Sequence, residues 1–105
     1  MTELALVDVL ALSAVLLGVG LFGILTRRNF ILLLIAIEVA MNAAILNFVA
    51  FAAFGGTPAA VSGQAIAVVL VGLAATEVAV GLAIVLALNR LRGSINVAEA
   101  VQLRL

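Results

Sequence analysis

With 105 residues, 68% of them hydrophobic and 10% charged, the chain carries more apolar surface than a soluble fold of this size can hide. Its net charge is zero and its arginines sit in small groups at segment ends, so the surrounding medium is lipid and nucleic acid is excluded as a partner. Cys, His, Trp and Tyr are absent, which removes the thiolate and imidazole ligands of iron-sulfur, haem, copper and zinc sites, and no redox centre is expected on this chain.

The amino terminus bears Glu3 and Asp8 but no Lys or Arg, and it leads into further apolar runs, which is not the pattern of a cleaved signal peptide. Val9 to Leu25 is uncharged, and extended back toward Leu4 it makes a first helix long enough to span a bilayer. Inside it, GVGLFG matches G-x-G-x-x-G through Gly18, Gly20 and Gly23. No strand precedes it and no acidic residue follows at the distance a dinucleotide site needs, so the glycines are read as a surface for close helix approach.

Arg27, Arg28 and Asn29 form a short polar turn that makes the first two helices an antiparallel hairpin. The second helix is expected over about residues 30–54. Its 14 Leu, Ile, Val and Phe residues favour insertion by about 4 to 8 kcal/mol, against about 3 kcal/mol for one acidic side chain, so it inserts despite Glu38. Gly55, Gly56, Thr57 and Pro58 end it, and a loop without charge runs to Ser62. The third helix is expected over about residues 63–89, with Thr76 and Glu77 near its middle, followed by Arg90, Arg92 and a tail too short to be a domain.

These spans define an all-α membrane protein with three transmembrane helices, a single membrane domain over residues 1–105 and a tail over 90–105. The arginines lie only in the first turn and the tail, so the positive-inside rule places both in the cytoplasm and leaves the amino terminus and the second loop outside.

Between Arg28 and Arg90 the only charged residues are Glu38 and Glu77, each deep in its own apolar segment. At 100° per residue, Glu38 shares a face with Leu34, Asn42 and Ile45, opposite Ala36, Ala40, Ala43 and Asn47. Glu77 falls with Leu70, Leu73, Gly81 and Ile84, opposite a ridge of Gly72, Ala75, Ala79 and Ala83 that is expected to be its packing seam. Measured from the cytoplasmic boundary, Glu38 lies about 13 Å deep and Glu77 about 18 Å, so the two are nearly level. A carboxyl at such depth exchanges between protonated and ionised states and suits a proton relay. The bland alternative is a protonated register pin helped by Asn42 or Thr76, while the plain role of Arg27 and Arg28 is to set topology.

The stretches GLFGILTRRNFILLLIAIEVAMNA and LAATEVAVGLAIVLALNR resemble the subunit K family of proton-pumping NADH:quinone oxidoreductase, respiratory complex I. The likeness covers about two thirds of the chain and rests on the arginine turn, Glu38, Asn42, and the run of Ala75, Glu77, Gly81, Leu82 and Ala83. The first eight residues and the tail match poorly.

The resemblance implies a membrane-arm subunit of the inner membrane, packed between quinone-site and antiporter-like subunits. By the same resemblance Glu38 and Glu77 lie on a polar axis for proton translocation, with Arg27 and Arg28 in the basic turn and Asn42 and Thr76 in support. NADH, FMN, iron-sulfur clusters and quinone then belong to other subunits. The corresponding small component of multisubunit sodium/proton antiporters is related in build but typically lacks the glutamate pair, and a rotary ATPase proteolipid has no third helix with its own carboxylate. Small multidrug exporters need four helices and carry their glutamate in the first, while a structural scaffold in the same complex is the non-catalytic alternative.

Overall fold

The computed structural model describes residues 3–56, 58–93 and 95–100, which fold into α1 (Leu6–Thr26), α2 (Phe30–Phe54), α3 (Ala59–Arg92) and the short α4 (Val97–Ala100). The first three are each long and apolar enough to cross a membrane, and no strand occurs among the described residues. Residues 101–105, the far end of the expected tail, lie outside the described residues.

Local chemistry sets the helix ends. Asp8 Oδ2 accepts a hydrogen bond of 3.0 Å from the Ala5 N–H, occupying a donor that the start of α1 leaves free. At the other end Thr26 Oγ1 donates to the Phe22 carbonyl at 2.7 Å, and Arg27 turns extended at φ −91 and ψ 139. Asn29 then caps α2, its Oδ1 accepting from Ile31 N–H at 2.9 Å and Leu32 N–H at 3.3 Å.

Gly56, at φ 72, supplies the left-handed residue after α2. α3 begins at Ala59, directly after Pro58 and earlier than the glycine at position 63 suggests. Gly63 is a contact residue instead of a break: a Cβ there would lie 2.6 Å from Ala52 Cβ and 3.3 Å from the Phe48 carbonyl oxygen. The helix continues past residue 89 to Arg92 and ends on Gly93 in the left-handed conformation, whose N–H donates to the Asn89 carbonyl.

Small residues bring the helices together. α2 is the central element, with α1 against one side and α3 against another. A Cβ on Gly20 would sit 2.7 Å from Ala40 N, and one on Gly23 would sit 2.6 Å from Ala36 Cβ. Gly20 and Gly23 thus behave as close-approach residues, whereas Gly18 faces open space. Between α2 and α3 the buried cluster is Ile45, Ala67 and Ala74, flanked by Met41 and Leu70.

The seam of α3 is not the one expected. Gly72 has nothing within 4 Å of a Cβ position, and Ala75, Ala79 and Ala83 are exposed. The face against α2 runs instead through Gly63, Ala67, Leu70, Ala74, Gly81 and Val85. Both faces are rich in small residues, but only this one pairs them with the large side chains of α2, Leu34 and Ile45 among them, that fill the space between the helices.

Past α3 the chain folds back. Ile95 carbonyl oxygen accepts from Phe30 N–H at 2.8 Å and Val97 N–H donates to Arg28 carbonyl oxygen at 2.7 Å, forming an isolated antiparallel bridge between Asn29 and Asn96. Together with the Asn29 cap and the 2.9 Å bond from Leu33 N–H to the Asn29 carbonyl, this bridge satisfies the opening donors of α2.

Candidate functional site

Two close contacts fix the register of α2 against α3. A Cβ on Gly81 would lie 2.7 Å from Leu34 Cδ1, and one on Gly63 would lie 2.6 Å from Ala52 Cβ. Glu38 stands four residues beyond Leu34 on α2, and Glu77 stands four residues before Gly81 on α3. From the same pair, Ala52 is fourteen residues further along α2 than Glu38 and Gly63 fourteen residues back along α3 from Glu77. In an antiparallel pair equal steps cover equal rise, so the two glutamates occupy the same height between the contacts. The depth difference of about 5 Å taken from sequence lengths disappears, because α3 overshoots the arginine turn instead of ending level with it.

The side chains take opposite flanks of that seam. Glu38 is half-buried in a groove of about 300 Å³ whose other residues include Leu34 and Ile35 on α2 and Val78 and Leu82 on α3. Glu77 is exposed on this chain, and a step of four residues turns it 40° away from Gly81. That rotation carries it toward the second flank, where Ile37, Gly81 and Ile84 line another groove. One carboxylate therefore stands on each side of the α2/α3 pair, and neither has a hydrogen bond or ion pair among the described residues.

The supporting residues are only partly gathered. Asn42 is exposed on the Glu38 face one turn further on, about 6 Å along the axis. Thr76 Oγ1 donates to the Gly72 carbonyl of its own helix at 2.9 Å, so that hydroxyl is engaged with backbone. Arg27 and Arg28 are exposed at the turn, with Arg28 about 15 Å of helix rise from Glu38, and they do not join the carboxylates. Among the described residues there is no group of acidic, His or Cys side chains suited to a metal.

Ser13 carries no signal in the sequence. It is buried, and its Oγ donates to the Ala43 carbonyl across the α1/α2 seam at 2.8 Å. Asn47, on the face of α2 opposite Glu38, holds a buried Oδ1 without a hydrogen-bond partner among the described residues. A serine among small seam residues is compositionally ordinary, which is why only the geometry reveals it.

The family model for NADH-ubiquinone/plastoquinone oxidoreductase chain 4L matches residues 8–104. The chain belongs to this family. Curated relatives named NADH-quinone oxidoreductase subunit K agree. The protein from Anaeromyxobacter sp. (strain K) is 49% identical over 88 residues, covering 84% of this chain and 86% of its own length. Subunit K 1 of Syntrophobacter fumaroxidans is 50% identical over 95 residues, 90% of this chain and 92% of the relative. The subunit K of Geobacillus kaustophilus is 45% identical over 95 residues, with 90% and 93% covered. The chain 4L match runs through the tail, beyond the two motif stretches that carry the resemblance in sequence. With its three apolar helices, this member of the chain 4L family is a multi-pass membrane protein and a subunit of an oxidoreductase complex.

Proposed function

We propose that this chain 4L family member works in the membrane arm of a proton-translocating NADH:quinone oxidoreductase, passing protons sideways through Glu38 and Glu77. The observation that carries this reading is the level placement of two mid-helix carboxylates on opposite flanks of one helix pair. A carboxylate in hydrocarbon is costly, so two at one height are retained for an ion pathway more readily than for packing. Packing is already served by the glycine and alanine contacts, none of which involves a carboxylate.

Each glutamate faces its own neighbour: Glu38 toward the flank of Val78 and Leu82, Glu77 toward that of Ile37 and Ile84. Protons taken from one adjacent protein on the first flank and handed to another on the second would cross this chain within the membrane plane. Quinone-site and antiporter-like subunits fill those two places. NADH, FMN, iron-sulfur clusters and quinone reside on other subunits, the complex lies in the inner membrane, and the arginine turn faces the cytoplasm. The relatives named NADH-quinone oxidoreductase subunit K favour this reading over the sodium/proton antiporter alternative.

The test compares Glu→Gln with Glu→Asp at each site in the assembled complex. Gln keeps size and hydrogen bonding but cannot ionise, whereas Asp remains titratable. A relay predicts that Asp retains more NADH-driven proton pumping than Gln. Equal activity in the two would indicate a register pin.

A further inference from the structure

Outside the glutamate pair, a groove between α1 and α2 ends on an arginine, Arg27. Its floor is the contact of Gly23 with Ala36, and its walls are Val19 and Phe22 from α1 with Ile35 and Val39 from α2. Phe22, Val19 and Ile35 are all exposed on this chain. Arg27 stands at the end where the helices enter the turn, and it has no ion pair among the described residues. The described acidic side chains lie elsewhere: Glu3 and Asp8 at the opposite end of α1, Glu38 and Glu77 in mid-helix.

Length and charge point to the occupant. From Arg27 to Val19 is about 12 Å of helix rise, close to the roughly 15 Å depth of one hydrocarbon leaflet. The volume is about 200 Å³.

We propose that the α1/α2 groove binds an acyl chain of an anionic phospholipid whose phosphate rests on the Arg27 guanidinium. The planar fork of arginine offers two parallel N–H donors to phosphate oxygens, and the apolar walls below it match the lipid tail. The groove borders the Glu38 flank through Ile35, which lines both, and the site is the same whichever side of the membrane the turn faces.

The test uses the assembled complex in membranes containing a phosphatidylglycerol with a photoreactive acyl chain, or a phosphatidylcholine with the same tails. Cross-links should map to Phe22 and Ile35, and the anionic probe should label about fivefold more than the zwitterionic one, the worth of one basic residue at such a surface. Arg27→Gln should reduce labelling by the anionic probe to the zwitterionic level, while Arg92→Gln should leave it unchanged. Val19→Trp, which fills the groove but keeps the arginine, should abolish labelling by both and serves if Arg27→Gln fails to assemble. Equal labelling by the two probes, labelling indifferent to both Arg27→Gln and Val19→Trp, or an absence of label because a neighbouring protein seals the groove would each overturn the proposal.

Discussion

Gly20 on α1 faces Ala40 on α2 so closely that a Cβ would sit 2.7 Å from the Ala40 backbone nitrogen, whereas Gly18, two residues away, faces nothing within 4 Å. The neighbour at Gly20 is backbone and cannot swing aside. Gly20→Ala should therefore cost about 1–3 kcal/mol through overpacking and lower the content of assembled complex. Gly18→Ala should be neutral or gain up to about 1 kcal/mol from helix propensity. Thermal unfolding of the purified complex, with immunodetection of membrane content, separates the pair.

At the α2/α3 seam the atom facing Gly81 is Leu34 Cδ1, the tip of a flexible side chain, while the atoms facing Gly63 are Ala52 Cβ and the Phe48 carbonyl. Gly81→Ala is expected to be tolerated in assembly after a rotamer change of Leu34, and Gly63→Ala to be destabilising by about 1–3 kcal/mol. The same unfolding measurement checks this ordering.

The helices and the glutamates are visible in the sequence because hydropathy marks a span and two acids inside apolar runs stand out. The Ala36, Ala40 and Ala43 seam is equally legible, since the glycines of α1 supply its complement. On α3 the small residues occupy more than one face, so composition cannot choose between the ridge at Gly72 to Ala83 and the true contacts at Gly63, Ala67 and Ala74. Gly63 looks like a boundary because a glycine needed for close approach and one that ends a helix read alike. The pairing of Asn29 with Asn96 is backbone chemistry and leaves no pattern in the side chains.

That bridge makes its own prediction. The Phe30 amide, at the very start of α2, donates to Ile95 and should exchange slowly for a helix-start position, as should the Val97 amide that donates to Arg28. Val97→Pro removes the second donor and is expected to speed exchange at Phe30 and expose the tail to protease. Hydrogen exchange read by mass spectrometry on the assembled complex monitors both effects.

Ser13→Ala removes the 2.8 Å bond to the Ala43 carbonyl. Hydrogen bonds between membrane helices contribute about 0.6 kcal/mol on average, so a small decrease in thermal stability with unchanged turnover is expected. A large loss of turnover would assign Ser13 a part in the chemistry.

The proposed membrane orientation, with the arginine turn in the cytoplasm, is tested by single cysteines at positions Thr57 and Ser94, treated with an impermeant thiol reagent. Ser94→Cys should react from the cytoplasmic side and Thr57→Cys from the opposite side.

Glu38 and Glu77, level on two flanks of one helix pair, are proposed to carry protons. The most direct test is the Glu38→Gln, Glu77→Gln double variant in a fully assembled complex, with NADH-driven proton pumping measured in sealed vesicles and complex content measured in parallel. The relay predicts normal assembly with pumping reduced at least about tenfold, the scale on which a removed proton-transfer group acts. Normal pumping in the assembled double variant would contradict it and leave the two glutamates a structural role.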